Sequence, residues 1–485
     1  MRAVSAVIAG GFTGHDGTDR NLRMNAPTTP LRTLWYMGAK TRLCEEFIDG
    51  AVRDLVSPGA TIVDACAGTG AVGRWFAGDY RILANDAQEF SAVIAKAHLE
   101  VSPEWALELD RLEPESDLAA AIDRNVSDLQ QLYGESLSQE SLLLKAILSP
   151  GDQREGALSE YREFCSKVPV PFEDPLPESQ SEDPYAEIRR RLPEILIDRR
   201  TSTDSLPAIL CSAYWGQVYF GLRQSIMIDS IRQAIREIPL SASFGPEKKN
   251  LYLAALLHAV SVSTSGTSHF AQPRSVDKDS ELIAVAKRRA IDIEEQFELA
   301  LDAIRREILE RPRLNGNRVF CTDVLKLLAE EGDLAEEEPV DLVYLDPPYT
   351  SDNYSRFYHV LETLARYDYP ELQCRGDELT KGRYPLRENR FSSDFCSGTQ
   401  VENAFRKVAE GCVRKGSNLL ISYSGDTGLL TKKWSKEGHA QPAARLRELL
   451  LEYFSVVEIR EQKLMHSGQG DSNKPVQELL LLCEV

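Results

Sequence analysis

The apolar positions of this chain form short runs near both ends and longer helical patterns between them. Residues 61–66 and 80–84 are short runs of β-branched, aromatic and leucine residues, which are typical of buried parallel strands. Later strand-like runs lie at residues 318–324, 341–345, 418–424, 453–460 and 476–485. We expect the last of these to form an edge hairpin. The α/β alternation is absent from residues 102–316, so the pattern predicts a sheet interrupted by a long, largely helical insert.

The length of 485 residues exceeds what one compact core supports. We therefore predict a disordered tail at residues 1–30, a first part of the sheet domain at 31–101 and a second part at 317–485. The insert at 102–316 carries an acidic stretch rich in serine and proline, and we expect it to be partly flexible at 150–205. No apolar run approaches the length of a membrane span, and we expect a cytoplasmic protein.

Charge and cysteine content limit the classes of function. The formal charge of −19 argues against indiscriminate binding to nucleic acid, although a local basic cleft remains compatible with it. The nine cysteines are scattered, without paired Cys-x-x-Cys motifs or neighbouring histidines. They are therefore predicted to be reduced thiols, and no metal site is expected.

A glycine-rich turn between a strand and a helix predicts a nucleotide-binding site. Asp64 ends the first strand, Gly68 and Gly70 follow, and Asp86 ends the second strand. Glycines allow a ligand to approach the backbone at a helix N-terminus, and the second acid is placed to bind ribose hydroxyls. A purely structural glycine turn is the alternative. The missing third glycine of the dinucleotide spacing favours S-adenosylmethionine over NAD.

The run at 341–345 ends in Asp346-Pro347-Pro348-Tyr349. Two prolines stop the strand, so a carboxylate, a rigid turn and an aromatic ring are presented at its carboxyl end, where open α/β sheets bind ligands. Such acceptors suit a flat ring that bears an amine, and the tyrosine offers a face for stacking. A strand end with a proline-rich turn is the simpler interpretation of these four residues alone.

Two polar loops are candidates for contact with nucleic acid. His269, Gln272 and Arg274 lie in a loop rich in small hydroxylated residues, and Lys381 and Arg383 lie in a basic loop beyond the proline motif. Such side chains suit phosphates or base edges. A flexible surface loop is the alternative for the first of these.

Taken in order, segments 36–40, 64–70 and 346–349, with Asp86 and Asp323, resemble the alpha-group, Dam-type DNA adenine methyltransferases. The resemblance implies a Rossmann-like class I methyltransferase fold that uses S-adenosylmethionine. It further implies methylation of the exocyclic amine (N6) of a flipped-out adenine in a specific sequence of double-stranded DNA. The insert would be the target-recognition region.

The resemblance also implies roles for individual residues. The implied cofactor-binding residues are Tyr36, Lys40, Asp64, Gly68, Gly70, Asp86 and Asp323. The implied catalytic residues are Asp346, Pro347, Pro348 and Tyr349. Within these sets, Asp346 and Pro347 would accept hydrogen bonds from the target amine and Tyr349 would stack on the base. Cys66 stands where the family usually has an aromatic residue.

Several functions remain open at this point. The methylated group could be another planar amine: cytosine in DNA, an RNA base or a protein glutamine. The chain could also be a non-catalytic module that binds S-adenosylmethionine and DNA. A modification role predicts a cognate restriction enzyme or defence-system partner.

Overall fold

The sheet and its surrounding helices are described by a computed structural model. It covers residues 40–107, 116–172, 183–202, 204–242, 244–267, 269–334, 339–439, 441–465 and 475–485. The predicted tail at 1–30 and Tyr36 lie outside the described residues.

The described strands form one large sheet and one small hairpin. They are β1 (Thr61–Asp64), β2 (Arg81–Asp86), β3 (Arg318–Cys321), β4 (Leu342–Leu345), β5 (Cys374–Arg375), β6 (Glu378–Leu379), β7 (Asn418–Ser424), β8 (Val456–Met465) and β9 (Pro475–Glu484). The sheet has seven strands in the order β3-β2-β1-β4-β7-β9-β8, and β5 pairs with β6. In the seven-stranded sheet, β9 runs antiparallel to both of its neighbours and the other pairings are parallel, whereas β5 and β6 pair antiparallel.

The strand order reverses between β1 and β4. The chain builds outward from β1 through β2 to β3, then returns to β4 on the other side of β1. Such a switch point leaves a crevice outside the carboxyl ends of the two central strands, because their following connections diverge. The predicted Rossmann-like fold is confirmed. The expected edge hairpin is wrong in one respect: β9 lies between β7 and β8, so β8 forms the edge.

Helices cover both faces of the sheet and fill the insert. In chain order they are α1 (Thr41–Leu43), α2 (Asp49–Leu55), α3 (Ala71–Phe76), α4 (Glu89–Leu99), α5 (Pro103–Leu107), α6 (Asp117–Leu148), α7 (Gln153–Ser166), α8 (Ala186–Thr201), α9 (Leu210–Trp215), α10 (Leu222–Glu237), α11 (Gly245–Ser263), α12 (Asp279–Arg289), α13 (Ile293–Glu310), α14 (Val324–Leu327), α15 (Tyr354–Phe357), α16 (His359–Arg366), α17 (Val401–Lys415), α18 (Leu429–Lys436) and α19 (Pro442–Leu450). A π-helical turn, Cys44–Ile48, joins α1 to α2. Short 3-10 helices lie at Arg387–Asn389 and Asp394–Cys396.

The insert packs directly onto the sheet domain. Helices α5 to α13 lie between α4 and β3, and their apolar side chains share one core with α4 and α16. A buried ion pair fastens the end of the insert, because Arg74 of α3 donates to Glu307 of α13 at 2.9 Å. Residues 150–205, expected to be partly flexible, contain α7 and α8, while 173–182 lie outside the described residues. The proposed domain boundaries stay predictions.

The described ranges contain neither a candidate membrane-spanning helix nor a candidate metal-binding cluster. No helix there combines the length and the apolar character that a membrane span requires. Nor do those residues bring together three or more His, Cys, Asp or Glu side chains placed to hold a metal ion.

Candidate active site

A cavity opens at the carboxyl ends of β1, β2 and β4, at the switch point of the sheet. It encloses about 1030 Å³, part of which is open to solvent. Its walls include the glycine turn, the end of β2, the proline motif and two later segments, 353–355 and 391–393. A volume of this order suits a ligand the size of a nucleoside.

The glycine turn after β1 presents backbone and a buried carboxylate to this cavity. Gly68 and Gly70 adopt left-handed backbone with φ of 54° and 70°, which side chains disfavour, and Gly70 is the N-cap residue of α3. Asp64 accepts a hydrogen bond from the amide of Gly73 at 2.9 Å through Oδ2. Among the described residues its Oδ1 has no hydrogen-bond partner. Burial raises the pKa of the Asp64 carboxyl to about 7.

Asp86 at the end of β2 faces the same turn. Its carboxylate accepts hydrogen bonds from the amides of Gly68 and Gln88, each at 2.9 Å. Burial raises its pKa to about 6, partly offset by these hydrogen bonds. The neighbouring Asn85 donates to the carbonyls of Ala65 and Thr322 at 3.0 and 3.1 Å and so holds the ends of three strands together.

The proline motif continues β4 into the cavity. The Nζ atom of Lys40 lies 3.1 Å from Oδ1 of Asp346. The same Nζ atom donates a hydrogen bond to Oε1 of Glu478 at 2.8 Å. The side chain of Lys40 is only 6% exposed. Burial raises the pKa of Asp346 to about 6, against the lowering effect of Lys40. Burial lowers the pKa of Lys40, but the two carboxylates raise it far more, so Lys40 stays protonated.

The ring of Tyr349 is fixed on one wall. It packs edge-on against the ring of Tyr423, with centroids 6.4 Å apart, and Lys40 Nζ lies 5.8 Å from its centroid. The Tyr349 carbonyl accepts from the amide of Leu429 at 2.7 Å. These contacts hold the ring in place before any ligand is bound.

A second aromatic wall comes from residues after the motif. Asn353 caps α15, and the hydroxyl of Ser355 donates to the carbonyl of Phe391 at 2.8 Å. This hydrogen bond places Phe391, which is 37% exposed, at the mouth of the cavity together with Tyr354. Neither aromatic residue was singled out from the sequence, because the contact spans 36 residues.

The remaining predicted site residues take different positions. Asp323 N-caps α14 by accepting from the amide of Leu325 at 2.8 Å, which is the structural alternative to a contact with adenine. Lys40 contacts Asp346, so it lies where the target amine is expected. Pro347 and Pro348 line the cavity as expected.

The predicted nucleic-acid residues divide into exposed and buried side chains. Gln272, Arg274 and Lys381 are exposed. His269 stacks on Phe357, with ring centroids 4.8 Å apart. Arg383, however, is buried and donates to the carbonyls of Ala213 and Tyr214 at 3.1 and 2.9 Å. Its guanidinium ties the basic loop to α9, so it is not available to a phosphate.

Comparison of the sequence with known protein families agrees with the arrangement of this cavity. Residues 310–437 match the model of the D12 class N6 adenine-specific DNA methyltransferases. The matched segment contains β3, β4 and the whole Asp346–Tyr349 motif. The resemblance to adenine-specific DNA methyltransferases is thereby confirmed.

Three curated proteins are similar to the chain. Modification methylase LlaI of Lactococcus lactis subsp. lactis is 25% identical over 395 residues, covering 81% of this chain and 46% of the relative. Type II methyltransferase M.FokI of Planomicrobium okeanokoites is 23% identical over 399 residues, covering 82% and 45%. Type II methyltransferase M.NlaIII of Neisseria lactamica is 31% identical over 94 residues, covering 19% and 23%. The chain therefore spans a little less than half the length of LlaI and M.FokI.

Proposed function

We propose that this chain transfers a methyl group from S-adenosylmethionine to the exocyclic amine (N6) of a flipped-out adenine in a specific DNA sequence. The observation that carries the proposal is the position of Asp346-Pro347-Pro348-Tyr349. The motif continues β4 into a cavity at the switch point, opposite the glycine turn of β1. The cavity therefore places a hydrogen-bond acceptor for an amine next to a site for a nucleotide-like cofactor.

The residues on the glycine side of the cavity fit this cofactor. Within the described ranges, Oδ1 of buried Asp64 accepts no hydrogen bond, and the cofactor's amino acid end carries an ammonium group that could donate to it. Asp86 would bind the ribose hydroxyls, and the left-handed backbone of Gly68 and Gly70 leaves room for close approach. When bound, S-adenosylmethionine supplies the methyl group on a positively charged sulfur.

The protein's own contribution is to orient the target amine. An adenine amine is a weak nucleophile because its lone pair is delocalised into the ring. Lys40 engages Oδ1 of Asp346, which leaves Oδ2 to accept from the amine, and the Pro347 carbonyl would accept from it as well. Two acceptors would hold the amine hydrogens and favour a localised lone pair, so positioning and electrostatics supply most of the rate.

The aromatic walls would hold the base. A target base must leave the duplex, which costs a few kcal/mol. Tyr349 offers a fixed ring for stacking, and Phe391 lines the same cavity. Stacking on such rings would offset the cost of unstacking within the duplex.

Basic side chains around the cavity support DNA as the partner. Arg356 lies 5.5 Å from the Tyr384 ring centroid and Arg390 lies 5.9 Å from it, with Arg387 nearby on the same loop. Arg356 and Arg387 are exposed, and the half-buried Arg390 donates to the side chain of Gln373 at 3.1 Å. We propose that these arginines, with Lys381 and the loop of Gln272 and Arg274, contact DNA phosphates, and that the helical insert recognises the target. A modification role with a cognate restriction enzyme is supported by the relatives' printed names.

A transfer assay tests the proposed reaction. The purified chain would be incubated with tritiated S-adenosylmethionine and unmethylated genomic DNA, and the DNA would be digested to nucleosides for mass spectrometry. We expect N6-methyladenine with the wild type and with Asp302→Asn, an exposed carboxylate on α13, and none with Asp346→Asn. Label in cytosine, or label in RNA or protein supplied in parallel reactions but not in DNA, would overturn adenine in DNA as the substrate.

A further inference from the structure

Glu478 is a buried carboxylate that adjoins a buried apolar run of strand β9. It lies on β9 directly before Leu479, and residues 479–483 are buried. Burying an ionised carboxylate without partners costs several kcal/mol, so such a residue requires compensation. It is separate in sequence from the glycine turn and from the proline motif.

Its partners form one continuous chain of contacts that ends at Asp346. Oε1 of Glu478 accepts from the Ser422 hydroxyl on β7 at 2.5 Å and from Lys40 Nζ at 2.8 Å. Lys40 Nζ in turn lies 3.1 Å from Asp346. Lys40 and Glu478 are each only 6% exposed. One ammonium group therefore bridges two carboxylates inside the protein.

We propose that Glu478 is a positioning residue for methyl transfer: it anchors Lys40 and shares its charge, so that Asp346 is oriented yet remains a strong acceptor for the target amine. The inference rests on the proposed function and extends it to a residue 132 positions after Asp346. Ser422 fixes Glu478 from the neighbouring strand and so completes the arrangement.

The opposite effects of Lys40 and Glu478 on Asp346 explain why a second carboxylate is useful. A lysine paired with Asp346 alone would draw electron density from that carboxylate and weaken it as an acceptor. Glu478 opposes this effect, since its negative charge raises the pKa of Asp346 while Lys40 lowers it. Within the described residues, Asp64, Cys44, Cys66, Tyr344 and Tyr349 also interact with this cluster. Of these, Tyr349 senses Glu478 directly, because the negative charge of Glu478 raises the pKa of the Tyr349 phenol, and Glu478→Gln would lower that pKa.

A purely structural role is the alternative. Lys40 is the N-cap residue of α1, so its contact with Glu478 also fastens the first helix to the sheet. Loss of that anchor would lower stability and cofactor binding but would leave the pH dependence of transfer unchanged. The pH profile therefore separates the two roles.

The test compares Glu478→Gln with Glu484→Gln, an exposed carboxylate on the same strand. Glutamine keeps the shape and an acceptor oxygen for Lys40 and Ser422, but it removes the charge. Single-turnover transfer would be measured from pH 5 to 9 at saturating cofactor and DNA. In the plot of transfer rate against pH, the acidic limb is the part where the rate falls as Asp346 becomes protonated. For Glu478→Gln we expect this limb to move to lower pH by about half a unit or more. The rate at pH 8 should fall by about 10- to 100-fold, with the KM for DNA unchanged. Glu484→Gln should behave as the wild type.

A second measurement needs no substrate. The carboxyl carbon of Asp346 can be titrated by ¹³C NMR in protein labelled at aspartate, and its signal is identified by its absence from Asp346→Asn. We expect its titration midpoint near 6 in the wild type and lower in Glu478→Gln. If Glu478→Gln changes neither the titration midpoint of Asp346 nor the acidic limb of the pH–rate profile, the inference is overturned. A wild-type protein that methylates no DNA would overturn the proposed function, and the NMR midpoint would then decide the role of Glu478 by itself.

Discussion

Replacing Asp64 by asparagine should stabilise the cofactor-free protein while removing its cofactor affinity. The Asp64 carboxylate is buried, its Oδ1 lacks a partner among the described residues, and its pKa rises from 3.8 to about 7. Each pKa unit corresponds to about 1.4 kcal/mol, so ionised Asp64 destabilises the folded state by at most roughly 4 kcal/mol. Asparagine is neutral and can still accept from Gly73, although more weakly, which leaves a net gain of about 1 to 3 kcal/mol.

The sign of the pH dependence is fixed by the raised pKa. A carboxyl with a raised folded-state pKa stabilises the fold at low pH, and this contribution is lost as the pH rises through about 7. The advantage of Asp64→Asn should therefore be largest at pH 8 and shrink by more than half at pH 5.

Thermal unfolding without cofactor measures this difference. For a chain of this size we expect a rise in Tm of about 1 °C per kcal/mol, hence about 1 to 3 °C at pH 8. Calorimetric titration with S-adenosylmethionine should show at least a tenfold loss of affinity. Asp302→Asn, at an exposed position, serves as the control and should change neither quantity. An Asp64→Asn variant that is less stable than the wild type at pH 8, or that binds the cofactor normally, would contradict this role of the Asp64 carboxylate.

Two further predictions concern the base and the DNA backbone. Tyr349→Ala should slow single-turnover transfer at least about tenfold, since stacking contributes about 1 to 3 kcal/mol, whereas Tyr349→Phe keeps the ring and should stay within a few-fold of the wild type. Equal losses in both variants would argue for the hydroxyl instead. Arg356→Ala and Arg390→Ala should each weaken binding of a fluorescent 30-base-pair duplex and reduce the slope of log K against log salt by about 1. Arg306→Ala, at an exposed position on α13, should leave that slope unchanged, and an unchanged slope in all three would remove these arginines from the DNA surface.

Local motifs were the part of the site that the sequence predicted well. Asp64, Gly68 and Asp86 lie within 23 consecutive residues, and their strand–turn–helix pattern requires only short-range rules. Asp346 to Tyr349 are likewise contiguous. Parallel strands bring such strand ends together at one edge, so their convergence on one cavity follows from the fold class.

Contacts between distant segments were not predictable in this way. Lys40 and Glu478 are 438 residues apart, and their pairing depends on β9 lying beside β7. The available signal was an acid directly before the apolar run 479–483, because a carboxylate buried beside such a run requires a buried cation. The prediction that Arg383 contacts nucleic acid was wrong for a related reason. Composition does not distinguish a loop arginine that binds backbone carbonyls from one that faces solvent.

Methylation-aware sequencing of DNA from cells that express this chain would show whether it methylates adenine and whether Asp346 is required. Cells with the wild type and with Asp302→Ala should carry N6-methyladenine within one short sequence motif, and cells with Asp346→Ala should carry none. Unmodified adenine in all three, with the proteins present in equal amounts, would contradict adenine methylation of DNA. Modification that persists in Asp346→Ala would contradict the assignment of the reaction to this site.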